Sequence, residues 1–281
     1  MAVEHPLFVP YRDEHVAAVL TLPDGSPRGF VMLLQGLGAL RSHKNRLWTR
    51  TARELAERGI ASARMDYGAI GDSTGRFEDR GDAPVGEVRA VIGAALRATG
   101  LKEFAIVGNC LGVRTGFAIA ARSASCVSMV CLVPGSLDAL MRRVDRSALG
   151  RAARGRARRS PRMRRIAHRV LRRNRFGGGG FLPDIPVALD STDVLFLFLG
   201  REEVGLQLAD ALGNLASRRP HGPERRVVVR SVPAVKAVGI PVRQSILPAV
   251  IEEVTDWMDR TLPGIGGPDL PSAAIEPGVK A

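Results

Sequence analysis

Gly108-Asn109-Cys110-Leu111-Gly112 decides how this chain is read. It follows a short apolar run, Phe104-Ala105-Ile106-Val107, and precedes a run of helical character, Val113-Arg114-Thr115-Gly116-Phe117-Ala118-Ile119-Ala120. Strand, tight glycine-flanked turn and helix form the context in which Gly-x-Ser-x-Gly is a nucleophile elbow, and here the central residue is cysteine. The glycines have a physical purpose. The nucleophile sits at a strained φ, and bulk on either side would collide with the neighbouring strand and helix. The turn also opens a helix, whose unpaired N–H groups and positive dipole end favour a thiolate or an oxyanion.

The surrounding pattern alternates strands and helices. Residues 5–9 and 15–21 read as strands joined by a polar turn, Tyr11-Arg12-Asp13-Glu14. Residues 29–34 are a continuous apolar strand leading into a glycine loop, Gln35-Gly36-Leu37-Gly38. Residues 46–58 are helical, with Leu47, Thr51, Leu55 and Ala56 on one face. Gly59 stops that helix, residues 60–65 form the next strand, and 66–75 form a polar loop. Residues 85–98 read as a helix, 104–107 as the elbow strand, 111–122 as its helix and 127–133 as a buried strand. Further along, 193–199 and 225–230 are strands, 206–216 is a helix, and 244–262 is an amphipathic helix. The pattern implies an α/β fold, a mostly parallel sheet covered by helices on both faces. Ligands then bind at the carboxyl ends of the strands, where the elbow and the 35–38 and 66–75 loops lie.

The net charge of +13 resembles a nucleic-acid signal until it is mapped. Residues 138–176 hold 15 arginines, no lysine and two acids, Asp138 and Asp145, so that segment alone carries +13. The remaining 26 bases and 26 acids cancel. The excess therefore belongs to one surface. Within it Met163, Ile166, Ala167, Val170 and Leu171 recur at helical spacing opposite the arginines, and the segment ends in Gly177-Gly178-Gly179-Gly180. We expect an Arg-rich helical lid over 136–185, inserted between two parts of one core, 1–135 and 186–262, with a disordered tail at 263–281. Aromatic residues are only 5 %, too few for stacking on single-stranded nucleic acid. No run of about 18 apolar residues predicts a membrane span, and the first residues lack the layout of a signal peptide. Three cysteines, Cys110, Cys126 and Cys131, without framework spacing fit a reducing, cytoplasmic setting. Cys126 and Cys131 fall in or beside a buried strand and read as core. Without CxxC or a Cys/His cluster, neither a structural metal nor a cofactor is expected.

These residues resemble the α/β-hydrolase superfamily over residues 15–262. The resemblance rests on Gln35-Gly36-Leu37-Gly38, where the superfamily usually has His-Gly. It rests also on Leu55-Ala56-Glu57-Arg58-Gly59-Ile60 running into Arg64-Met65-Asp66-Tyr67-Gly68-Ala69-Ile70-Gly71-Asp72-Ser73, on the elbow, and on a lid after the next strand. Arg41-Ser42-His43-Lys44-Asn45-Arg46-Leu47 together with a cysteine elbow is similar to a smaller set, the hydrolase-like proteins of bacterial polyketide and exopolysaccharide biosynthetic clusters. That likeness implies thioesterase or acyl-transfer work on carrier-bound intermediates, by analogy.

The resemblance assigns roles. Cys110 is the nucleophile, or a small hydrophobe in an elbow that no longer reacts. The backbone N–H groups of Leu37 and Leu111 form the oxyanion hole, with Gly36 and Gly38 keeping the loop small enough for close approach. The triad acid falls on Glu203, with Glu202 second, or both are solvated acids opening a helix. The histidine is missing: its place, before the last helix, is best matched by Ala237. Releasing an acyl group to water needs a base, and losing one typically costs about 10²–10⁴ in rate. His43 is the leading substitute, ahead of His168, and Lys236 beside the vacancy is a third candidate. Asp66 and Asp72 read as loop-shaping residues that accept backbone N–H bonds.

Two functions follow. One is an enzyme acting on a small or carrier-bound acyl ester or thioester in secondary metabolism through Cys110. The other is a catalytically degenerate member that binds a biosynthetic intermediate or carrier protein, or promotes a substrate-assisted step such as cyclisation or epimerisation. For the Arg-rich segment the readings are a solvated helix face, an acidic carrier protein or a phosphate-bearing ligand, with nucleic acid last because no reading motif accompanies the charge.

Overall fold

The computed structural model describes residues 2–36, 38–75, 83–134, 184–200, 227–233 and 244–262. Among the described residues eight strands form one sheet in the spatial order β1-β2-β4-β3-β5-β6-β7-β8. β1 (Val3–Tyr11) and β2 (Glu14–Leu22) make an antiparallel hairpin, and β2 runs antiparallel to β4 (Ile60–Met65). From β4 onward the pairing is parallel through β3 (Gly29–Leu34), β5 (Phe104–Asn109), β6 (Cys126–Pro134), β7 (Asp193–Gly200) and β8 (Val227–Pro233). The central strands β3, β4 and β5 are buried at every residue, which is why β3 and the first four residues of β5 read as unbroken apolar runs, whereas β4 also buries Ser62 and Arg64.

Alternate side chains of each strand feed two cores. Phe30, Met32, Leu34, Ile106 and Met129 face one layer, with α2 (Val85–Thr99), α3 (Leu111–Ala120) and α4 (Asp184–Ser191). Val31, Leu33, Val107, Val130 and Leu197 face the other, with α1 (Leu47–Glu57) and α5 (Leu247–Thr261). On α1 the buried stripe is Leu47, Trp48, Thr51, Ala52, Leu55 and Ala56, and on α5 it includes Val250, Val254, Trp257 and Met258. The layering fixes the sheet, and with it the row of strand ends that carries the site.

The expected elements that fall within the described residues stand where the sequence puts them, with instructive shifts. β5 runs two residues past its apolar stretch, through Gly108 and Asn109, because those residues still pair with Cys131 and Leu132 of β6. β8 reaches Pro233 instead of ending at 230, since Ser231, Val232 and Pro233 continue the ladder with β7; as an edge strand it tolerates a residue without an N–H. α4 was not anticipated; it packs on α3, where Arg122 pairs with Asp184 at 3.0 Å. Residues 136–183 of the expected lid, the 206–216 helix and the 263–281 tail lie outside the described residues. Among the described residues no helix is long and apolar enough to cross a membrane. Cys126 and Cys131 are fully buried, as expected of core residues; burial pushes the Cys126 thiol up to about 12 and raises Cys131 as well.

Candidate active site

Cys110 caps β5 and opens α3, exposed, at φ 50° and ψ −112°. This is backbone that a residue with a Cβ adopts only under strain, at about 1–3 kcal/mol. Two glycines make the turn possible by close approach. A Cβ on Gly108 would stand 2.6 Å from the carbonyl carbon of Gly112, and one on Gly112 would stand 2.4 Å from the Leu34 carbonyl oxygen. Both obstacles are backbone and cannot swing aside. The elbow is therefore wedged between β5, β3 and its own helix, as the flanking glycines imply.

The loop after β3 lies directly against Cys110. A Cβ on Gly36 would be 3.2 Å from Cys110 Cβ, 3.8 Å from its Sγ and 3.9 Å from Asn109 Nδ2. Close approach thus explains Gly36. It does not explain Gly38, where an added Cβ would meet nothing within 4 Å among the described residues; that position needs glycine for its φ of +74°. Of the two expected oxyanion donors, Leu111 is the first residue of α3, and Leu37 lies outside the described residues. Glu202, Glu203, Ala237, Lys236 and His168 also lie outside them.

The end of β4 holds this loop. Tyr67, buried, donates its hydroxyl to the Gln35 carbonyl at 2.9 Å, and Gln35 Nε2 donates to the Met65 carbonyl. Burial, reinforced by the nearby Cys110 and Glu87 charges, pushes the Tyr67 pKa upward and keeps it a donor. Asp66, fully buried, accepts from the Arg41 N–H at 2.6 Å and from its guanidinium, and accepts the Asp72 N–H at 3.3 Å. Arg41 also reaches Asp72 at 2.6 Å. Asp66 therefore shapes two loops through backbone N–H groups, as expected, whereas Asp72 contributes a carboxylate to Arg41.

His43 comes to the elbow by way of Asn109. Its ring is buried, with Nε2 2.9 Å from Asn109 Nδ2 and Nδ1 3.4 Å from the Lys44 carbonyl. The proton therefore sits on Nδ1, and Nε2 accepts from the amide. Burial pushes the His43 pKa down, against a smaller upward pull from the Lys44 carbonyl. The ring also meets Trp48 at 5.4 Å between centroids. The loop that delivers it carries positive φ at His43, Asn45 and Arg46. Asn109, Gln35 and Tyr67 were not assigned roles in the sequence. Their common signal is a polar side chain at or just beyond the carboxyl end of a buried strand.

No protein-family model and no curated protein matches the chain. Among solved structures it is similar to an esterase of Pyrococcus furiosus (14 % identity, 93 % of this chain and 94 % of that one, TM-score 0.57). It is similar also to an α/β serine hydrolase homologue from Coxiella burnetii (12 %, 92 % and 97 %, TM-score 0.55) and to a dienelactone hydrolase from Anabaena variabilis (17 %, 93 % and 99 %, TM-score 0.54). With a mostly parallel eight-stranded sheet, helices on both faces and a strained elbow at the tip of β5, the chain has the α/β-hydrolase fold.

Proposed function

We propose that this protein is an acyl-transfer or thioesterase-like enzyme of secondary metabolism in which Cys110 accepts an acyl group from an ester or thioester. One observation carries the reading: a non-glycine residue is held, exposed, at φ 50° and ψ −112° between two glycines that close backbone contacts require. A residue under such strain at the carboxyl edge of a parallel sheet points to function rather than stability. In the proposed step the Cys110 sulfur attacks the acyl carbon and a new S–C bond forms. The oxyanion is held by the N–H groups of Leu111 and Leu37, the bond to the leaving group breaks, and the thiol proton departs with that group. Glu203 would orient a base in the second half-reaction.

With alanine at 237, deacylation to water is slow, and an acceptor that brings its own nucleophile is favoured. The same alanine supports the second reading, a degenerate member that binds a biosynthetic intermediate. The 15 arginines of 138–176 suit an acidic carrier protein as the acyl donor. The test is thiol release from a short-chain acyl thioester. About one equivalent per protein in a burst, followed by a slow phase and abolished in Cys110→Ala, is expected. Equal release by wild type and Cys110→Ala would overturn the proposal.

A further inference from the structure

We infer that Asn109 and His43 form a buried amide–imidazole pair that positions Cys110, the residue next in sequence to Asn109. The inference deepens the proposed function, resting on Cys110 as the reacting group. Asn109 is the last residue of β5 and bonded in sequence to Cys110; it is almost fully buried. Its Nδ2 donates to His43 Nε2 at 2.9 Å, while its Oδ1 is buried with no hydrogen-bond partner among the described residues. The same small region, around Gly36, receives both Cys110 Sγ and Asn109 Nδ2, each within 4 Å of the place a Cβ there would take.

A pair built for stability would not look like this. An orphaned buried acceptor is costly, and the loop that brings His43 in carries three left-handed residues. Strained conformations persist only where the surroundings over-determine them. Gly108 and Gly112 fix the elbow from the β3 and α3 side; the His43–Asn109 bond ties down the amide immediately before the strained residue. Both ring nitrogens of His43 are engaged, so in this arrangement it is a positioning residue. Proton transfer to Nε2 would first require its bond with Asn109 to break.

The test is a double-mutant cycle on the full chain with two readouts of Cys110: alkylation by iodoacetamide, located by peptide mass, and acylation by a short-chain acyl thioester. Asn109→Ala and His43→Leu should each slow alkylation about tenfold, roughly one hydrogen bond's contribution. The double variant should be no slower than the slower single one. His43→Gln, which retains an acceptor, should recover most of the rate, and should His43→Leu not fold, His43→Gln and Asn109→Ala decide the matter. Unchanged alkylation in the folded variants, with only additive losses in melting temperature, would overturn the inference. If the thioester fails to acylate the wild type while coupled alkylation persists, the acyl-transfer reading falls and the pair stands. If acylation is robust and both rates ignore the pair, only this inference falls.

Discussion

Replacing Cys110 by glycine should stabilise the fold relative to alanine at the same position. Because Cys110 is exposed, either replacement removes little buried surface, and the difference between them isolates the backbone. At φ 50° and ψ −112° a Cβ carries about 1–3 kcal/mol of strain. Glycine avoids that cost but loses about 0.5–1 kcal/mol through its greater freedom in the unfolded chain. The net advantage of Cys110→Gly over Cys110→Ala is therefore about 1 kcal/mol, or about 2–4 °C in melting temperature for a chain of this size. Denaturant titrations at fixed pH, with calorimetry as a second probe, measure it. If Cys110→Gly is equal to or less stable than Cys110→Ala, the elbow is not strained and the argument from strain to function fails.

Four further outcomes follow from the same geometry. Gly108→Ala must widen a 2.6 Å approach to backbone to the 3.4 Å of ordinary contact, so it should cost about 3 kcal/mol or more and suppress Cys110 alkylation. Gly100→Ala, with φ +72° and nothing among the described residues within 4 Å of the added Cβ, should cost about 1–2 kcal/mol and leave alkylation unchanged. Tyr67→Phe leaves the Gln35 carbonyl without its donor, a loss of about 1–3 kcal/mol, and by loosening the loop beside Cys110 should slow acylation; an unchanged acylation rate would separate this loop from the reaction. His43 has its folded pKa pushed below the ordinary 6.5, so the unfolded chain binds more protons beneath that value. Stability should therefore fall as pH drops below 6.5 towards the folded pKa, and His43→Gln should lack that component in denaturant titrations at pH 7 and 5.

The framework was legible because it rests on local signals. Unbroken apolar runs marked β3 and β5, the glycine stop after α1 marked β4, the spacing of Leu47, Thr51 and Leu55 marked α1, and glycines two before and two after Cys110 marked the elbow. The site's support was less legible because it is made by residues far apart in sequence. Asn109 and His43 are 66 positions apart, and Tyr67 and Gln35 are 32 apart. Spacing located His43 near the oxyanion loop, but only the fold shows that its Nε2 is taken by Asn109. Gly38 illustrates the opposite case: a glycine read as making room turns out to serve its own φ. The Arg-rich segment is legible as charge, and its sequence alone leaves its partner open.

The central claim is that Cys110 becomes acylated. Intact-protein mass after mixing with a short-chain acyl thioester, run beside Cys110→Ala, measures this directly. An increment of one acyl group on the wild type, located at Cys110, persisting in water and discharged by an added amine or thiol acceptor, is the expected result. A wild type that gains no acyl mass across short, medium and long chains, while Cys110 remains open to iodoacetamide, would contradict the account.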